Sequence, residues 1–271
     1  MKRNIDIGFS PCPNDTFIFD ALVNGKIDTG DYAFTPVVED VETLNKWAME
    51  RKLPVTKVSY GIIPALLDDY LLLRSGGALG RGAGPLLIGK NDRLNHHDAV
   101  AIPGENTTAH MLFRLVYPQL ERKVFLRYDK IQDFVLEGKG AGVIIHENRF
   151  TYQALGLIKI QDLGEAWEQR TGLPIPLGGI LASKSLHEDA ADISNLIRES
   201  LEYSWKQYPN LSNFITSHAS EMSEEVMRKH INLYVNDYSL DLGEDGENAV
   251  KEFIRIHGQN NPASNSEFKV I

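Results

Sequence analysis

Cysteine is all but missing from this sequence of 271 residues. Cys12 stands alone, so no internal disulfide can form and no cysteine-based zinc site can be built around it. Basic charge is short as well: 28 Lys+Arg stand against 37 Asp+Glu, a formal net charge of −9. With no Lys/Arg cluster to offset it, that balance excludes the basic stripe of a nucleic-acid binder. Long apolar runs are absent too. Stretches such as LLL at 71–73 fall far below the roughly 20 residues of a membrane-spanning helix, so no membrane insertion is expected. The opening MKRNIDIGFSPCPNDTF is basic at its start but lacks the apolar segment of about 7–15 residues that a secretory signal needs. The cytoplasm is the expected location.

Familiar chemical signatures are also wanting. GRGAG at 80–84 and GKGAG at 138–142 each precede a strand, whereas a dinucleotide loop follows one and opens a helix. GxxxxGK[ST], HExxH, GxSxG and CxxC do not occur. His96 and His97 sit in an Asn/Asp-rich loop without further ligands nearby, and solvation explains them better than a metal does. No metal ligand set is expected. Packing between two prolines explains Cys12 more simply than nucleophilic chemistry.

What is present is an ordinary globular composition, 42% hydrophobic and 24% charged, at a length suited to two lobes. Strand-type and helix-type runs alternate, which predicts an α/β fold with largely parallel sheets. NIDIGF at 4–9 reads as a strand. SPCPND at 10–15 is a breaker-rich loop whose Asn14 and Asp15 suit a helix N-cap, and the helix should stop at Gly25. YAFTPVV is a strand, 40–51 a helix opened by Asp40, VTKVSYG at 55–61 a strand, and IPALLDDYLLL at 63–73 a helix. GPLLIGK at 84–90 and GGILASK at 178–184 share one texture and bracket the strands DAVAIPG, VFLRYD and AGVIIH. They suggest a chain that crosses between lobes twice, with 1–88 and 182–271 forming one discontinuous domain and 89–181 an inserted one. The two glycine-flanked strands should then serve as the hinge. Residues 189–257 read as mostly helical, and the polar tail NNPASNSEF as loop.

In open parallel sheets, ligands sit beyond the carboxyl ends of the strands. Ser59 and His146 end comparable strands in the two halves and would face one ligand across a cleft. His146 closes an apolar strand and is followed by Glu147. A neutral imidazole is the side chain best suited to take a proton near pH 7, although a strand-end histidine can also be purely structural. NTTAH at 106–110 places Thr107 and Thr108 at a helix N-terminus, a natural seat for a carboxylate or phosphate. His110 in that first turn reads as neutral and structural. Lys57 and Ser59 flank Val58 on one strand face, and a lysine beside a cleft suits an anionic substrate. Ser10 and Asn14 are placed as additional cleft residues.

Five runs in order, SPCPNDTF, KVSYG, PGENTTAH, GVIIHENRFTY and GLPIPLGGI, resemble the 1,4-dihydroxy-6-naphthoate synthase family of the futalosine route to menaquinone. The resemblance covers essentially the whole chain. It implies a two-lobed fold similar to periplasmic binding proteins, a central cleft, and no metal or organic cofactor. It implies a catalytic histidine at His146, and substrate-binding positions at Lys57, Val58, Ser59, Thr107 and Thr108. The substrate so implied is cyclic dehypoxanthine futalosine, a small carboxylated molecule, cleaved by a lyase whose rate should rise with pH through an ordinary histidine pKa. A chorismate dehydratase on the same scaffold and a non-catalytic solute receptor are the alternatives. Oligomeric state leaves no mark in the sequence.

Overall fold

The computed structural model describes residues 2–219, 222–260 and 270–271. Its strands are β1 (Arg3–Phe9), β2 (Tyr32–Val38), β3 (Val55–Ser59), β4 (Tyr70–Leu72), β5 (Ala78–Gly80), β6 (Leu86–Gly89), β7 (Val100–Ile102), β8 (Lys123–Phe125), β9 (Ala141–Ile144), β10 (Ile158–Asp162) and β11 (Ile175–Ser183). The helices are α1 (Pro13–Val23), α2 (Val41–Met49), α3 (Thr108–Val116), α4 (Ile131–Leu136), α5 (Asn148–Thr151) and α6 (Leu163–Thr171). A helical C-terminal part follows, as its sequence pattern predicts: α7 (Ala190–Gln207), α8 (Asn213–His218), α9 (Glu224–Tyr234), α10 (Asp237–Leu240) and α11 (Gly243–Asn260). Asn260 ends α11, and the rest of NNPASNSEF lies outside the described residues. Among the described residues no helix is long and apolar enough to cross a membrane.

Two sheets organise the chain. The first runs β2-β1-β3-β11-β4, with β5 also paired to β11; the second runs β10-β6-β9-β7-β8. Both are mixed rather than largely parallel. β1 is parallel to β2 and β3, but β11 runs antiparallel to β3, β4 and β5. β7 is parallel to β8 and β9, but β6 runs antiparallel to β9 and β10. The strands on either side of the sheet-to-sheet passages are the ones that reverse the direction. β6 and β11, the two look-alike segments, do not pair with each other; each lies wholly in one sheet.

Two local expectations need correction. The segment 63–73 is a 3-10 turn (Ile63–Ala65) followed by β4, not a helix. A short apolar run fits a buried strand or a buried helix equally well by pattern alone, and here the ladder offered by β11 decides it. The N-cap of α1 is Cys12, with Pro13 as the first helical residue, so Asn14 and Asp15 fall inside the first turn. Proline suits that position because its missing N–H would have no partner there. Gly25 does stop α1: at φ +65° it lets the Lys26 N–H reach back to the Ala21 carbonyl.

The largest apolar cluster spans both sheets. Val58, Leu72 and Leu181 of the first meet Leu87, Val100 and Val143 of the second, joined by Trp167 of α6 and Phe253 of α11, whose rings lie 5.5 Å apart. At the first passage, between β5 and β6, glycine is required by close approach. A Cβ on Gly84 would stand 2.3 Å from Gly164 Cα, and one on Gly164 2.6 Å from Gly84 Cα. Arg149 clamps the same segment, donating to the carbonyls of Gly82 and Gly84 and pairing with Asp162 at 3.0 Å. GRGAG is thus a packing element where the chain changes sheets.

Gly84→Ala and Gly164→Ala should each lower stability by about 1–3 kcal/mol, the usual cost of forcing a methyl group into a filled space. Gly258→Ala on α11, where nothing lies within 4 Å, should instead gain up to about 1 kcal/mol. Urea unfolding of the three variants measures the contrast.

Candidate functional site

One cavity lies where the carboxyl ends of the strands converge. Ser10 follows β1, and Asn14 and Asp15 belong to the first turn of α1. Lys57, Val58 and Ser59 come from β3, Thr107 and Thr108 from the start of α3, and His146 from the end of β9; all line this cavity. Every site residue predicted from the sequence is therefore in one place, although the residues come from both sheets. Leu44, Pro85, Leu177 and Tyr234 supply further wall.

Beneath the cavity sits a buried ion pair. Lys57 Nζ is 2.5 Å from Asp15 Oδ1, and the two side chains are only 6% and 5% exposed. Asp15 also accepts from Ser10 N (3.1 Å), Ser10 Oγ (2.6 Å) and Asn14 Nδ2 (2.6 Å). The expected free cation is consequently a neutralised one. Lys57 lines the cavity, but its charge is matched by Asp15, a partner that spacing along the chain did not suggest. Asn14 Oδ1 is a buried acceptor with no hydrogen-bond partner among the described residues.

The start of α3 joins the two sheets. Thr107 caps the helix, accepting from His110 N at 3.2 Å and donating to the Gly104 carbonyl at 2.9 Å. Thr108 Oγ1 accepts from Gly61 N (3.1 Å) and donates to the Leu177 carbonyl (3.0 Å), both on the first-sheet side. Asn45 of α2 binds Ser59 through its N–H (2.9 Å) and hydroxyl (3.1 Å) and also donates to the Asn106 carbonyl at 3.3 Å. Glu42 accepts from the Asn106 side chain at 2.9 Å, and burial raises its pKa. Both threonine hydroxyls are thus engaged within the protein. With His110 N taken by the Thr107 cap, the N–H groups of the first turn without a helical partner are those of Thr108 and Ala109.

His146 departs from regular backbone. Its φ of +55° lies in the left-handed region, uncommon for a residue with a Cβ and costing about 1–2 kcal/mol. The turn brings Nδ1 to 3.4 Å from Cys12 Sγ, with the Tyr128 ring 5.0 Å away edge-on. The His230 ring of α9 lies 6.1 Å away, nearly parallel. Burial lowers the His146 pKa from its ordinary 6.5 to about 4, with a smaller opposing pull from Asp15 and a smaller push in the same direction from Lys57. The expectation of an ordinary histidine pKa is corrected accordingly: desolvation disfavours the imidazolium. Burial likewise pushes the Cys12 thiol up, helped by Glu147 and Asp15, and pushes His230 well down. All three groups are therefore neutral at pH 7. One donor atom from each of Cys12, His146 and His230 lies within 4.8 Å of the others.

Asn45 and His230 are site residues that the sequence does not single out; the sequence marks Asp15 as a helix-cap residue and Cys12 as packing rather than a nucleophile, and predicts neither the ion pair nor the contact with His146. His230 did leave a signal: it lies on the stripe Met227, His230, Ile231, Tyr234, where a polar residue interrupts a buried helix face. His110 is elsewhere, its Nδ1 donating to the Glu105 carbonyl at 2.7 Å, and His96 and His97 are exposed.

Breaking the ion pair from one side should be costly. Asp15→Asn leaves the Lys57 ammonium buried without its counter-charge, and a loss of about 3–5 kcal/mol is expected. Adding Lys57→Met should recover part of it, since two neutral side chains leave no lone charge. A double-mutant cycle by chemical denaturation reads the coupling.

The family profile described as menaquinone biosynthesis matches residues 5–259. A 1,4-dihydroxy-6-naphthoate synthase of Thermus thermophilus is 48% identical over 247 residues, covering 90% of this chain and 90% of that protein. One from Streptomyces coelicolor is 43% identical over 255 residues, covering 91% and 90%. Among solved structures, a protein of Archaeoglobus fulgidus superposes with a TM-score of 0.90 at 29% identity, covering 96% of this chain and 98% of that one. The periplasmic aliphatic sulphonate binding protein of Escherichia coli gives 0.67 at 9% identity, covering 99% and 96%. That likeness shows the fold, which is the expected one: α/β and similar to periplasmic binding proteins.

Proposed function

This chain belongs to the menaquinone-biosynthesis family, and from that premise we propose that it is a lyase converting cyclic dehypoxanthine futalosine to 1,4-dihydroxy-6-naphthoate. The observation that carries the reading is His146, a neutral imidazole at the wall of a cavity built from both sheets. The names of the relatives, which match about nine-tenths of the chain, support the same reaction.

His146 is the general base. In the tautomer that carries its proton on Nδ1, beside Cys12 Sγ, His146 keeps its lone pair on Nε2, free to take a proton from the substrate. Loss of that proton starts the cleavage that releases the sugar-derived portion, and aromatisation of the bicyclic ring drives it. The substrate carboxylate lies against the N-terminus of α3, where Thr107 and Thr108 hold the helix start in place. Asn14 Oδ1 accepts from a substrate hydroxyl, which meets its unfilled hydrogen-bonding capacity. Lys57 shapes the floor as half of a neutral pair, with Val58 and Ser59 beside it. Each sheet forms the centre of one lobe. Substrate entry swings the lobes about the two passages and opens the Asn106 and Thr108 bonds; closure restores them and excludes water. No cofactor takes part, and the role belongs in the cytoplasm.

A solute receptor would share this fold, since fold does not fix function. It would have no use for an unprotonated imidazole held in a strained backbone turn. Incubating the purified protein with cyclic dehypoxanthine futalosine and, separately, with chorismate distinguishes the readings. Naphthoate formation from the first is expected; turnover of chorismate alone, or binding without turnover, refutes the proposal. Activity should survive exhaustive treatment with a chelator.

His146→Asn should retain the fold and most substrate affinity while lowering single-turnover rates by about 10²–10⁴, the typical contribution of a general base. The pH dependence follows from the sign of the shift. The base acts unprotonated, so kcat/KM should rise with pH through about 4 and be level by neutrality, with no limb near 6.5. A rate profile between pH 3.5 and 8 tests this, and a limb at 6.5 would contradict it.

A further inference from the structure

Behind the cavity wall, Cys12, His146 and His230 present one sulfur and two imidazoles to a common point, with donor atoms within 4.8 Å of one another. The Cys12 Sγ to His146 Nδ1 distance, 3.4 Å, is close to the spacing of two ligands on one tetrahedral zinc, given Zn–S and Zn–N bonds of about 2.3 and 2.0 Å. His230 points independently to a missing ligand. Its side chain is 0% exposed, and neither ring nitrogen has a hydrogen-bond partner among the described residues. A buried imidazole with both nitrogens unsatisfied has lost its hydrogen bonds to water without replacement, and a metal bond would satisfy one of them.

The geometry assigns to Cys12, His146 and His230 an inhibitory site for a thiophilic divalent cation of the zinc class, with the fourth position open toward the substrate cavity. This inference rests on the reading of His146 as the base. When the metal binds Nδ1, the remaining proton of the neutral ring must sit on Nε2, and the lone pair that would accept the substrate proton is lost. Cys12 releases its thiol proton to solvent as the metal–sulfur bond forms, so the cation exchanges for one proton. The mixed sulfur and nitrogen donor set favours zinc, cobalt or cadmium over magnesium or calcium, which take oxygen ligands.

Cobalt(II) is the direct probe, because Cys12 is the only cysteine and any sulfur-to-cobalt charge-transfer band must come from it. Titration of the chelator-treated protein should saturate that band at one cobalt per chain, and one equivalent of zinc should abolish it. His230→Gln should weaken cobalt binding by at least about tenfold, as even disturbing a ligand's supporting bonds can do. Cys12→Ser, nearly isosteric, should lose the band while keeping its far-ultraviolet circular dichroism, which preserves the test should His230→Gln fail to fold. Turnover of the futalosine derivative should fall in step with zinc occupancy and return on chelation. No charge-transfer band at saturating cobalt, or unchanged cobalt affinity in a folded His230→Gln protein, overturns the site. Full turnover at full occupancy overturns the inhibition. A cobalt band in a protein without any turnover supports the site and refutes the base assignment instead.

Discussion

The Asp15–Lys57 pair is the constraint on which the cavity depends. It joins the first turn of α1 to the centre of β3 through two side chains almost fully withdrawn from water, and a buried charge cannot tolerate loss of its partner. Because Asp15 also accepts from both Ser10 groups and from Asn14, the SPCPND loop has little freedom left. That loop carries Cys12, whose sulfur meets the His146 ring. The placement of the His146 ring is therefore tied, through a thiol and a carboxylate, to a salt bridge in the other sheet. The pair contributes specificity of position more than affinity for anions, since its charges cancel.

Around that anchor, the two sheets meet in different ways on different sides. On one side the apolar cluster runs without a break through Trp167 and Phe253, and Gly84 packs backbone to backbone against Gly164. Nothing there separates easily. On the side of α3 the sheets are linked by a few directed hydrogen bonds in or near the cavity: Asn45 to the Asn106 carbonyl, Asn106 to Glu42, and Thr108 to Gly61 and Leu177. Hydrogen bonds of this kind contribute about 0.5–1.5 kcal/mol net and exchange with water when broken. A hinge at the packed side and an opening at the bonded side is the motion these forces favour.

Burial also sets the chemistry. Cys12, His146 and His230 are all neutral for one reason, removal from water, which disfavours imidazolium and thiolate alike. A neutral imidazole can use its lone pair either to take a proton or to hold a metal. The same burial that keeps the His146 imidazole neutral thus leaves its cluster attractive to a soft cation.

Features that depend on neighbours along the chain are legible without the fold. Asp40 caps α2, Gly25 ends α1, Thr107 caps α3, and the strand ends carry the cleft residues, because capping and strand periodicity are satisfied within a few residues. The motifs of SPCPNDTF and HENRF were legible in the same way, and with them the family. Three further features, that 63–73 is a turn and a strand, that β11 runs against its neighbours and that Lys57 is paired, emerge only in the folded molecule. Each of these is settled by a partner distant in sequence: β11 for β4, Asp15 for Lys57. The meeting of Cys12 with His146 spans 134 residues, and the desolvation that lowers the histidine's pKa belongs to no segment. Burial arises only when separate elements close around a group, and so it has no local signature in the chain.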